Sequence, residues 1–346
     1  MEENKTGLLI LGSLCCSMTI AAEHKEGEEG HKGDGQKMKA QRPSKTAQYM
    51  ALFRAVETVR PEGRALFRDP YARQFLSPTM RLAVIIASLP MGRELIPRLI
   101  RRSAPGALSS GVARTRYIDD LVDRTVREGA TQLIILGAGY DTRALRLDSL
   151  KSAAVIEIDH PDTSRFKLRR LTSTMGKRPE NVSYCEADFN TQSLEEIGSG
   201  STIKFDAPTT LVWEGVTSYL TSDAVDATFR WTEKFPGVNL IFTYLDRKVL
   251  DHPEEFAGAR RLVAHLHDSE EQWTFGFAPH AVPGYLSRHN LTLIEDLSAA
   301  DYRAKYMADR PREIGYEFHR TAFARRENIK SHGIASKPEG ATGWSP

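Results

Sequence analysis

The chain has 346 residues, of which 40% are hydrophobic and 27% charged, enough for a sizeable core with an ordinary enzyme-like surface. A formal net charge of +2 gives no sign of a nucleic-acid groove or of attraction to an anionic membrane surface. Cys15 and Cys16 are adjacent and Cys185 is isolated, which excludes both a disulfide framework and a zinc knuckle.

In chain order, residues 7–22 (GLLILGSLCCSMTIAA) come first, apolar, uncharged and ending in small residues. A membrane span takes about 20 residues, so the run is short for one, and the flank MEENK carries two acids against one base. Cytoplasmic location is therefore expected, with a signal peptide or membrane anchor over 7–22 as the alternative. The following stretch to residue 45 is almost all charged, polar or glycine and buries too little to fold, so 1–45 reads as an apolar segment plus a disordered linker. The folded domain is expected over 46–328, with 329–346 as a flexible tail.

Apolar residues recur at helical spacing over 46–60 (Met50, Phe53, Ala55, Val56), ended by Pro61 and Gly63. A second helical stretch, 78–99, is interrupted by Pro90 and Pro97. A third, 112–128, lines up Tyr117, Leu121 and Val122. Together they predict a helical cap over 46–128. Short continuous apolar runs then appear at 131–136, 153–159, 182–188, 209–214, 239–245, 291–297 and 316–324, the mark of strands buried on both faces. Helix-like spacers separate the first five, which predicts an α/β fold with a mostly parallel seven-stranded sheet. The last two runs lie close enough to form an antiparallel edge pair. Residues 246–289 make a long insertion between the fifth and sixth runs, with a helical piece over 254–267, and read as a lid or substrate wall.

Ligands of an open parallel sheet bind beyond the carboxyl ends of its strands. The first run stops at Gly137-Ala138-Gly139, where glycine allows a tight turn and close approach by a ligand, and the next helix would aim its N–H groups at an anion. Thr142 stands where a dinucleotide fingerprint wants its third glycine. A pyrophosphate needs that approach, whereas the smaller carboxylate of a methionyl group does not. Asp159 closes the second run about 20 residues further on, an offset that suits ribose hydroxyls. Glu157 shares its face by alternation, and the terminal acid is favoured. At the third end Asp188 can accept from an adenine amino group, with Phe189 against the base. At the fourth, Glu214 suits a cationic ammonium or sulfonium. Each feature alone is weak, since a tight turn or a solvated acid looks the same. Together, in order, they point to S-adenosylmethionine.

These motifs resemble the leucine carboxyl methyltransferase family, especially its bacterial-type and polyketide O-methyltransferase branch, over residues 46–325. The resemblance rests on TAQYMALFRAVETVR and DPYA, ARTRYIDD, LGAGYDTRALRL, VIEIDHPDT, EADFN and LVWEGVTSYLT. It implies a Rossmann-like class I methyltransferase fold. It also implies that Arg114 and Arg54 reach the cofactor carboxylate, that Gly137 and Gly139 form the methionyl loop, and that Asp159 binds ribose. Asp188 and Phe189 would contact adenine, with Glu214 near the methionyl end. The N-terminal extension departs from the family pattern.

The implied activity is O-methyl transfer to a small-molecule carboxylate or hydroxyl, polyketide-like or another secondary metabolite, or less favourably to a protein C-terminal carboxylate. A carboxylate acceptor needs a clamp, for which Tyr140, Arg143 and Tyr219 are candidates. A hydroxyl acceptor needs a base, for which His160 and His280 are candidates. No nucleic-acid partner and no metal are expected, since His265 and His267 at i,i+2 of a helix do not face each other. Trp273, Phe275 and Phe277 either line the acceptor site or pack the insertion. Two other readings stand. A NAD(P)-dependent oxidoreductase would use the Tyr244…Lys248 spacing on a helix, but Tyr244 closes a strand run. A cofactor-binding protein without catalysis would keep the same fold. The acceptor and the oligomeric state leave no mark in the sequence.

Overall fold

The computed structural model describes residues 45–188, 192–260, 262–263, 272–310 and 313–327. The apolar segment 7–22, the linker to residue 44, Phe189 and the tail from 328 lie outside them. The apolar runs become β1 Gln132–Leu136, β2 Ala154–Asp159, β3 Val182–Glu186, β4 Thr209–Trp213, β5 Val238–Leu245, β6 Thr292–Ser298 and β7 His319–Arg326. They form one sheet in the order β3-β2-β1-β4-β5-β7-β6, parallel through its first five strands. The antiparallel pair of final strands is present. β7, however, lies inside, paired with both β5 and β6, and β6 takes the edge.

Alternation along each strand feeds two cores. Leu133 and Ile135 of β1 join one cluster with Val155, Val212, Ile241 and Phe323, while Ile134 and Leu136 join the other with Ile156, Leu211, Leu240 and Phe242. Both faces are dry, which is why these strands read as unbroken apolar runs. The first cluster is covered by α1 Lys45–Thr58, α2 Pro78–Ser88, α3 Gly92–Ser103, α4 Ala107–Arg127, α6 Pro161–Met175 and α11 Ala299–Tyr306. The second lies under α7 Leu194–Ser199, α8 Ser222–Thr232 and α10 Val282–Ser287. The one-turn helices are α5 Arg143–Arg146 and α9 Lys248–Asp251.

Three boundaries differ from the sequence expectation, each for a physical reason. The helical stretch breaks near Pro90 but runs through Pro97, whose ring is buried beside Ile96 and Ile100, so packing outweighs the missing ladder bond. β7 begins at His319 because Tyr316 and Phe318 turn away into a third cluster with Leu245, Val249 and Ala259 of the insertion. Within 246–289, Pro253–Glu255 forms a 3-10 turn rather than the start of a long helix, and residues 264–271 lie outside the described residues.

Candidate functional site

The strand order reverses between β1 and β4, which places the ligand crevice of an open α/β sheet beyond the carboxyl ends of these two strands. Gly137 and Gly139 turn the chain there with φ of +65° and +49°. A Cβ on Gly137 would also lie 2.4 Å from Val216 Cγ2, so both backbone and space call for glycine. The loop is pinned by the Gly139 N–H, which donates to the Asp159 carboxylate, while the His160 N–H donates to its other oxygen at 2.7 Å. Burial lifts the Asp159 carboxyl above its ordinary range, against the pull of these two N–H groups. Each oxygen keeps a lone pair for another donor. Glu157, the second acid of that strand, is spent on the buried Lys167 ammonium, and burial raises it to about 7 despite the pair.

The helix expected to aim N–H groups at an anion is only the single turn α5. Its first N–H is taken by Asp141 at 2.7 Å, so its dipole is small and its leading donor occupied. Cationic character comes instead from side chains. Arg54 donates to Asp69 at 2.8 Å and to the Tyr140 carbonyl at 2.6 Å, holding α1 against the loop. Thr142, in the third-glycine position, donates to the same Asp69 at 2.7 Å. Arg143 bonds Asp119 at 2.9 Å, Glu214 at 2.9 Å and Asp141. Arg146 grips both oxygens of Asp119, and Arg114 donates to Glu214 at 2.9 Å. Four buried arginines and four acids thus close into one neutral lattice behind the loop.

The electrostatics follow from this lattice. Burial would raise Asp141, but Arg143 and Lys167 hold it at about 2. Burial likewise opposes ionisation of Glu214 and Asp69, yet their arginines keep both below the ordinary carboxylate range. Arg143, expected as an acceptor clamp, is saturated by three carboxylates and buried. Tyr140 lies stacked on Phe75 with ring centroids 4.8 Å apart, and its buried hydroxyl finds no partner among the described residues.

Asp188 follows β3 next to Ala187, whose N–H donates to the Asp159 carbonyl at 2.8 Å, so the second and third strand ends adjoin. Tyr219 closes a 3-10 turn, Thr217–Tyr219, just past β4. Both proposed bases carry exposed side chains, although His160 directly follows Asp159 and its N–H donates to that carboxylate. His160 is exposed and caps α6 by accepting the Asp162 N–H at 3.3 Å. His280 is exposed on the turn before α10. Tyr244 donates to Asp296 at 2.7 Å while Lys248 pairs with Glu255 on the surface, so the dehydrogenase pair does not assemble. Among the described residues no group of His, Cys, Asp and Glu is placed to hold a metal.

The structure adds a histidine that residue spacing did not single out. His319 opens β7 opposite Leu245, at the carboxyl end of β5. Residues 273–277 cross the same end, with the Thr274 N–H donating to Ser218 O at 2.8 Å and the Phe277 N–H to Leu245 O at 3.0 Å. Trp273, Tyr316 and Phe318 surround the imidazole at ring separations of 5.7, 6.0 and 4.9 Å. Burial and the Arg114 charge pull its pKa down to about 3, leaving it neutral. Phe277 and Phe275 pack against each other and into the sheet core, so of the three aromatics only Trp273 reaches this histidine.

The model of the family described as leucine carboxyl methyltransferase matches residues 47–233, more than half of the chain. Relatives in Frankia alni (34% identical over 53% of this chain and 61% of that one) and Mycobacteroides abscessus (30% over 58% and 67%) are provisionally named S-adenosyl-L-methionine-dependent methyltransferases. The chain spans about three fifths of the length of the first of these curated relatives. The crystal structure of a Thermobifida fusca protein provisionally named a methyltransferase shares the fold with a TM-score of 0.53 at 18% identity, covering 83% of this chain and 96% of that one. A DUF574 family protein from Streptomyces avermitilis gives 0.52 at 15%, over 80% and 97%.

Proposed function

The chain belongs to the leucine carboxyl methyltransferase family, and on that premise we propose that it transfers the methyl group of S-adenosylmethionine to a hydroxyl oxygen of a small planar acceptor, polyketide-like in character. The residues present fit this cofactor. The loop leaves no room for a Cβ at Gly137, Asp159 keeps lone pairs for ribose hydroxyls, and the Tyr140 hydroxyl beside it has no partner among the described residues. Arg114, with Arg54 behind the loop, would meet the carboxylate, Glu214 the ammonium, and Asp188 the adenine amino group. S-adenosylmethionine supplies a methyl group already activated on a positive sulfur.

What the protein adds is alignment and exclusion of water. A carboxylate acceptor would seek a cation of its own, yet Arg54 and Arg114 are assigned to the cofactor and the buried Arg143 and Arg146 are spent on acids. A neutral imidazole between aromatic rings suits an O–H donor better, and this placement of His319 carries the choice of a hydroxyl. Its lone pair accepts a hydrogen bond that orients the hydroxyl, and the proton that the oxygen sheds as the O–CH₃ bond forms passes to solvent.

The test has two arms. A saturating ligand at a hundredfold its dissociation constant stabilises a protein by about 2.7 kcal/mol, so S-adenosylmethionine and its demethylated product should both raise the melting temperature. Asp159→Asn should abolish most of that response. Stabilisation by NAD(H) alone would overturn the cofactor assignment. With radiolabelled cofactor, phenolic and carboxylic acceptors are then compared. Label released by mild alkali is a methyl ester and defeats the hydroxyl reading; alkali-stable label supports it.

A further inference from the structure

The hairpin of α2 and α3 is the part of the described molecule least accounted for by the fold. Five of the seven large apolar side chains left exposed among the described residues sit on it: Leu82, Ile85, Leu89, Met91 and Leu95, with Met91 91% exposed. Leu82, Ile85 and Leu89 fall on one face of α2 and lead to the tip, and Met91 and Leu95 continue the patch onto α3. The tip is stiff, because Gly92 is packed so closely under α2 that a Cβ there would fall 1.8 Å from the Ile86 carbonyl oxygen.

The apolar stripe ends in charge. Along α3, Met91 and Leu95 are followed on the same face by Arg98 and Arg102, with Arg93 beside them. Arg93 and Arg102 make no ion pair among the described residues, and Arg98 reaches only Glu94 at 4.0 Å. Behind them a cleft of about 450 Å³ is lined by Arg60, Arg64, Arg93, Arg98, Arg101 and Arg310, against three acids. At 1.5 Å per residue, Arg98 stands roughly 4.5 Å and Arg102 roughly 10 Å above Leu95 along the axis. Interfacial helices bury their apolar faces about 5–10 Å into the headgroup boundary, so these guanidinium groups fall at the level of the phosphates. The near-zero net charge of the chain hides this arrangement, because the basic collar is local and balanced elsewhere.

We propose that the α2–α3 hairpin docks the protein on an anionic lipid bilayer, its apolar tip in the acyl boundary and its arginine collar on the phosphates. Among the described residues no helix is long and apolar enough to cross a membrane, so the contact lies on the surface. Charge complementarity selects this occupant over a second copy, whose matching collar would face this one. The cap that would dock also packs against α1, which carries Arg54 to the glycine loop.

The experiment is flotation of the full chain with vesicles of phosphatidylcholine alone, or mixed with phosphatidylglycerol. Retention by the mixed vesicles and release as salt rises is expected. Leu89→Asp with Met91→Asp should weaken retention on the order of tenfold or more, as the tip leaves the acyl boundary. Each of Arg93→Ala, Arg98→Ala and Arg102→Ala should weaken it roughly fivefold. These positions are exposed, so unchanged melting temperatures separate lost docking from lost fold. No retention of the wild type, or retention unchanged in the Leu89/Met91 variant, overturns the proposal. So does a concentration-dependent dimer that this variant dissolves, since a second copy would then cover the face.

Discussion

Replacing Arg143 by methionine separates a structural arginine from an acceptor clamp. Its guanidinium touches Asp119, Asp141 and Glu214 in a buried setting. Removing one partner of a buried ion pair costs about 3–5 kcal/mol, because a charge is left uncompensated. Here Arg146 still holds Asp119 and Arg114 still holds Glu214, so the abandoned charge is chiefly that of Asp141. The expected loss therefore lies at the lower end, about 3–4 kcal/mol at neutral pH. The pH dependence gives a second reading. In the wild type, Asp141 is depressed to about 2, so its contribution is present above the unfolded carboxylate pKa and fades only as pH falls through the folded value. In Arg143→Met its folded pKa rises above the unfolded one, so the variant gains stability as pH falls towards 4. Urea denaturation followed by tryptophan fluorescence at neutral and mildly acidic pH should show the gap narrow on acidification. Adding Asp141→Asn to the variant should recover much of the loss. A variant that unfolds at the wild-type midpoint and loses only turnover would refute the structural role.

Gly137→Ala should cost about 1–2 kcal/mol in left-handed backbone alone, plus about 1–3 for the clash with Val216. In calorimetric titration it should lose measurable affinity for S-adenosylmethionine, and Val216→Ala in the same chain should restore stability only in part. His319 titrates at about 3 in the fold and near 6.5 when unfolded. Its contribution is complete above 6.5 and is lost as pH falls, by about 2 kcal/mol at pH 5. His319→Phe should flatten the stability profile between pH 7 and 5, and a profile unchanged by the substitution would remove the neutral, buried histidine from the account. Tyr140→Phe removes a hydroxyl without a partner among the described residues, so folding stability should hold or rise by up to about 1 kcal/mol. Any loss in that variant should show in cofactor affinity.

What was readable in the sequence was what packing repeats. β1, β2, β4 and β5 are buried on both faces and announce themselves as apolar runs, and the strand ends follow from them. The lattice behind the loop has no such period. Asp69, Asp119 and Arg146 are drawn together across separations of 24 to 77 residues with Arg143 and Thr142, and only the folded chain shows that Arg143 faces inward. His319 escaped notice because Tyr316 and Phe318 look like strand residues but belong to the insertion's core, which moves the true start of β7 onto the histidine. The DPYA and ARTRYIDD motifs held the missing signal, since their aspartates Asp69 and Asp119 are the acids that the arginines require.

The position of β7 has a consequence for the order of assembly during synthesis. The strands that carry the glycine loop and Asp159 pair with one another and with β3 and β4, all translated before β5, so they can form while the ribosome is still at work. β7 is translated after the other six strands, yet it completes the β5 edge and delivers His319. Until then Val238–Leu245 presents an open row of amides, the kind of edge on which nascent chains stick to one another. A chain stopped short of residue 319 would carry the glycine loop, Asp159 and the aromatic rings of Trp273, Tyr316 and Phe318 but no histidine between them, with the β5 edge uncovered.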